Sequence, residues 1–201
     1  RAVQGMAQTT PEEMLRMESP PMADYFESYL SFGPHVLVRF GRWREATQLE
    51  LPDDPDLYCT KAAHVHYARA IGHAALGEVD AALAEEALYH AAIERVPESR
   101  TLHNNTVVDL LAIGSEMLRG EILHRQEKYD EAYATLRRAI VLEDTLPYDE
   151  PWAGCSRSVM HLARCCWNRA TRTRPRWCSA RNSAFAVNLH VQPCTRIMSG
   201  R

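Results

Sequence analysis

The sequence predicts an all-α chain built from antiparallel helix hairpins. Three observations lead there. Among 201 residues only nine are glycine, and Ala, Leu, Glu and Arg dominate, residues that enter a helix at little cost. Apolar residues recur at helical spacing in two pairs of segments, each pair joined by a tight turn. No apolar run in the sequence approaches the roughly 18 residues that span a bilayer, so these faces are expected to pack on one another.

Taken in order, "TTPEEMLRM" at Thr9–Met17 reads as a helix start. Thr10 is the expected N-cap, Pro11 the first helical residue, and Glu13 the partner in a capping box. Ser19–Pro21 ends that helix, because proline cannot continue it. A second short helix is expected from Met22 to about Phe32.

The first hairpin pairs "AAHVHYARAIGHAAL" with "DAALAEEALYHAAI" across a turn at Gly77–Asp80. Val65, Ala68, Ile71, Gly72 and Ala75 are expected to face inward, as are Leu83, Ala87, Leu88, Ala91 and Ala92. A polar connection, "RVPESRTLHNN", follows. The second hairpin begins at "TVVDLLAIGSEMLRGEILHRQ", with Asn105 or Thr106 as its cap. Its partner helix, "EKYDEAYATLRRAIVLED", is expected to turn Ala132, Leu136, Ala139 and Ile140 inward and to stop at "TLPYDEP".

An internal repeat underlies these hairpins. Gly120, Tyr129, Ala132, Leu136 and Ala139 fall in the spacing by which the second hairpin closely resembles the tetratricopeptide repeat. Two helices cross tightly only where side chains are small, and larger residues fill the space beside the crossing. Ala70, Gly77 and Ala82 match more loosely, with Val79 where the family has an aromatic; Gly41, Trp43 and Ala46 form a third, partial match. Ala46, Ala82 and Ala132 lie 36 and 50 residues apart, against a family period of about 34, so an insertion is expected near Pro97–Asn105. The competing reading is an ordinary helical bundle with alanine-rich contacts. More widely, "PEEML", "VRFGRW", "HYARAIG" and "IVLEDTLPYDEP" resemble the C-terminal part of a group of bacterial tetratricopeptide proteins. The resemblance implies hairpins stacked as an α-solenoid over residues 34–152, preceded by N-terminal helices in residues 1–33, whose start at Arg1 reads as a truncation.

The composition changes after Glu150. Residues 1–150 carry 14 Lys and Arg against 26 acids, a net −12, whereas residues 151–201 carry nine arginines and no acid. Five of six cysteines also lie in that tail: Cys155, Cys165, Cys166, Cys178 and Cys194. Their spacing offers no Cys-x-x-Cys pair for zinc. Arginines beside Trp167 and Trp177 raise the alternative of nucleic-acid binding, without a recognised fold to carry it. Residues 153–201 are instead expected to be a disordered, basic Cys- and Arg-rich segment or the product of a shifted reading frame. In the shifted frame the codons of Cys165, Cys166 and Trp167 are forced to Leu, Leu and, with Asn168, Glu, all good helix formers.

Catalytic patterns are missing from the sequence. His64, His66 and His73 do not converge at metal-ligand spacing and are expected to be partly exposed. Ser115, Asp109 and His124 share one helix, whereas a triad needs groups converging from separate elements. Glu85–Glu86 and Asp130–Glu131 read as solvated helix faces. The expected role is a protein-interaction scaffold that is not an enzyme and uses no cofactor; a helical accessory domain of an enzyme is a further alternative. In a stacked repeat the first helices line a concave side, which makes Tyr67, Ile71, Met117, Glu121 and His124 a candidate peptide groove or a surface for neighbouring repeats. A protein or peptide partner, neutral or basic, fits the negative charge better than nucleic acid. No membrane association is expected, and without an export signal the expected location is cytoplasmic.

Overall fold

The computed structural model describes residues 9–147, all within the first of the two units, Arg1–Cys165, into which the chain divides. The expected tail at residues 153–201, its reading frame and the boundary at residue 152 lie outside the described residues. The described chain is mostly helical. Its helices are α1 (Glu12–Leu15), α2 (Met22–Phe26), a 3-10 turn (Glu27–Ser31), α3 (Phe32–Arg39), α4 (Trp43–Ala46), α5 (Cys59–Leu76), α6 (Val79–Ile93), α7 (Val107–Arg125) and α8 (Tyr129–Thr145). Among the described residues no helix is long and apolar enough to cross a membrane.

The N-terminal layer departs from expectation in two places. Pro11, not Thr10, precedes α1, and no side chain caps it. The chain also does not break at Phe32: α2 passes through the 3-10 turn directly into α3. Pro34 sits in the first turn of α3, where a missing N–H costs no helical hydrogen bond.

Helix α5 is the hub. It packs against the 3-10 turn, α3, α4, α6 and α7, so it is buried on nearly every side. Its many small residues answer that crowding: Ala63, Ala68, Ala70 and Ala74 are fully buried. A Cβ on Gly72 would lie 2.9 Å from Thr47 Cγ2 and 3.0 Å from the Trp43 carbonyl, so α4 rests directly on the α5 backbone.

Helix α6 shows the inward stripe Ala82, Glu86 and Tyr89. The expected stripe is corrected here: Leu88 is 49% exposed, and Ala87 and Ala91 also face outward. The connection that follows contains a two-stranded ladder, Thr101–Leu102 with Asn105–Thr106. Thr106 then caps α7, its hydroxyl accepting from the Asp109 amide. Helix α7 packs on both α5 and α6, and on α8. Ala132, Leu136 and Ala139 of α8 are fully buried as expected. A Cβ on Gly120 would lie 2.6 Å from Leu136 Cγ, so the close crossing expected at Gly120 is present. Leu146, extended before Pro147, ends α8.

One turn recurs three times among the described residues. The amides of Arg42, Glu78 and Lys128 donate to the carbonyls of Leu37, His73 and Leu123, each five residues back. The preceding amides, of Gly41, Gly77 and Glu127, donate to Val38, Ala74 and His124. Those three residues have φ of 68°, 88° and 63°, the left-handed geometry that closes a helix C-terminus. The next residues start the following helix with ψ of 62°, 66° and 63°. Each leads to an alanine with no exposed surface: Ala46, Ala82 and Ala132.

Candidate functional site

The five candidate groove residues are all buried, between 1% and 7% exposed. Tyr67 and Ile71 belong to the main core, with Leu118 and Ile122 of α7. Met117 lies on another face of α7, in a second cluster with Ile113 and Ala139. Of the two roles expected for them, a peptide groove or a surface for neighbouring repeats, burial is the property of a packed surface. Helix α5 has neighbours from both directions along the chain, α3 and α4 before it and α6 and α7 after it. The three apolar members are thus divided between two clusters rather than gathered in one.

The polar members hold internal contacts. Arg125 donates from Nε and Nη2 to Glu121 Oε1, at 2.9 and 2.6 Å. The His124 ring meets Tyr129 edge-on at 5.2 Å and lies 6.4 Å from Tyr133. On α5 the histidines diverge. His66 Nδ1 lies 2.7 Å from Glu85 Oε2, and Arg69 joins the same carboxylate at 3.5 Å. His73 faces Glu78 at 2.6 Å. His64 turns to α3, where its ring stands 4.4 Å from that of His35. His66 is only 8% exposed, and Glu86 likewise, pairing with Arg119. Glu85 and Glu86 thus correct the expected solvated face: they tie α6 to its neighbours.

A buried polar cluster joins the start of α5 to the N-terminal layer. Glu27, with no exposed surface, accepts from the amides of Thr60 and Lys61 at 3.3 and 2.9 Å. It caps a helix with free first-turn donors and a positive dipole end. Arg100 approaches Asp24 and Glu27 at 3.5 and 3.9 Å and donates to the Leu57 carbonyl at 3.2 Å. Burial raises the Glu27 pKa, opposed by the hydrogen bonds from α5 and by Arg100. Burial, then the Glu27 charge, raises that of the Cys59 thiol, which leaves it a poor nucleophile. Sequence reasoning missed Glu27, Arg100 and His35. Each acts on a residue far along the chain, and no local pattern marks such a partner.

Chemically, these groups hold helices together. Ser115 donates to the Leu111 carbonyl, Asp109 bonds Thr106, and His124 stacks on tyrosines, so the three do not converge. Among the described residues no group of three or more His, Cys, Asp or Glu side chains could hold a metal ion. Compared with family models, curated proteins and solved structures, the chain matches nothing.

Proposed function

We propose that the chain is a protein-interaction scaffold of the tetratricopeptide type, acting in the cytoplasm on a protein or peptide partner and catalysing no reaction. The observation that supports this reading most is the threefold turn at Gly41, Gly77 and Glu127, each followed by a buried alanine. A unit that recurs in backbone geometry as well as in sequence is what a helical repeat requires, and stacked repeats offer extended binding surfaces. The net −12 of residues 1–150 favours a neutral or basic partner. For Tyr67, Ile71, Met117, Glu121 and His124, burial supports the alternative role of packing against neighbouring helices.

The test is an anisotropy titration of the full chain with labelled basic, neutral and acidic peptides and with single-stranded RNA. Binding of basic or neutral peptides, retained when residues 154–201 are deleted, is the expected result. RNA binding that falls steeply with salt and disappears with that deletion would replace this reading with nucleic-acid recognition. Failure of every peptide to bind would also overturn it.

A further inference from the structure

Helix α3 meets α5 through two imidazoles. The rings of His35 and His64 are 4.4 Å apart, their planes at 60°. The stack runs inward from there: His35 lies 6.2 Å from Tyr67, and Tyr67 lies 5.8 Å from Tyr89. His64 Nδ1 is 2.8 Å from the Thr60 carbonyl, so that nitrogen carries a proton. In the neutral ring the other nitrogen is then an acceptor.

No opposite charge is placed to receive a second proton. On α3 the charged residue is Arg39, of the wrong sign. From the 3-10 turn comes Glu27, committed to the Thr60 and Lys61 amides. From α4 come Arg44 and Glu45, the latter paired with Arg42. On α5 itself stand Lys61, His66, Arg69 and His73, with His66 and Arg69 on Glu85 and His73 on Glu78. From α6, Glu86 is paired with Arg119 and Tyr89 is bonded to Leu111; from α7, Asp109 bonds Thr106 and Glu116 pairs with Arg138. Among the described residues none of these carboxylates pairs with His35 or His64. Two imidazolium charges at this separation repel, and each half-buried ring gives up part of its hydration without a carboxylate partner.

We propose that the His35–His64 pair is an acid-released latch: on acidification both rings take up protons and α3 parts from α5, while the α7–α8 hairpin stays folded. Burial holds His64 down at about 4, outweighing its bond to Thr60. Burial, and then the His64 charge, holds His35 well below the usual histidine range. Folded values below the unfolded value of roughly 6.5 mean that the unfolded state binds more protons between them. The contribution of the pair is therefore intact above that value and is lost as pH falls toward the folded values.

Hydrogen exchange of the full chain, corrected for intrinsic pH dependence, tests this. Between roughly pH 6.5 and pH 4.5, the protection of residues 32–40 should fall at least about tenfold more than that of residues 107–145. The double variant His35→Phe, His64→Gln should abolish that difference. An equal fall in both regions, or a fall of α3 that persists in the double variant, would overturn the latch. Should that variant not fold, the ring resonances of the wild-type histidines decide. Midpoints well below the ordinary value support the latch, and midpoints near roughly 6.5 overturn it.

Discussion

Glu127 holds a φ of 63° at a position where the other two turns have glycine. A side chain with a Cβ costs roughly 1 kcal/mol or more in that region. Glu127→Gly should therefore raise stability by about 0.5–1 kcal/mol, even after the added freedom of the unfolded chain, read as a higher urea midpoint. Tyr89 gives a second test at this scale. Its hydroxyl donates to the Leu111 carbonyl at 2.7 Å, and Ser115 donates to the same oxygen at 3.1 Å. Tyr89→Phe leaves that carbonyl satisfied, so the loss should stay near the lower end of the usual hydrogen-bond range, about 0.5–1 kcal/mol. A Cβ on Gly114 would lie 2.5 Å from the same hydroxyl. Gly114→Ala should thus be clearly destabilising in the wild type and milder in the Tyr89→Phe background. Additive effects in a double-mutant cycle would show that the contact is not what excludes a side chain at Gly114.

The crossing of α7 and α8 turns on Gly120, whose missing Cβ makes room for Leu136. Gly120→Ala should gain helix propensity and still lose roughly 1–2 kcal/mol net to overpacking, with the urea midpoint lowered and the slope unchanged. This crossing was legible in the sequence. Ala132, Leu136 and Ala139 form one stripe on a helix otherwise largely charged or polar, and Thr106 announces the start of α7. Helix α6 was not legible in the same way. Alanine at positions 81, 82, 84, 87, 91 and 92 makes it apolar on all sides, so spacing selects no face. The repeat alignment did select Ala82 correctly, because it compared hairpins rather than faces. The burial of the candidate groove residues was not legible for a related reason. Periodicity places Tyr67 and Met117 on the first helices, but says nothing of how many neighbours those helices have.

Across the whole described region, the N-terminal layer and the first hairpin are joined by buried charge. Glu27→Ala should remove the α5 cap and leave Arg100, 5% exposed, with Asp24 and the Leu57 carbonyl. Breaking a buried pair in this way costs about 3–5 kcal/mol, whereas Glu45→Ala, in an exposed pair with Arg42, should cost at most about 1 kcal/mol. Urea denaturation of both variants checks the contrast; equal losses would show that Glu27 is no cap. The two hairpins therefore differ in portability. Helix α7 takes its cap from Thr106, the residue just before it, and α8 follows within a few residues. Helix α5 borrows its cap from Glu27, 33 residues upstream. Moved into another protein, residues 106–147 would bring their own starting signal, while residues 59–93 would arrive without one.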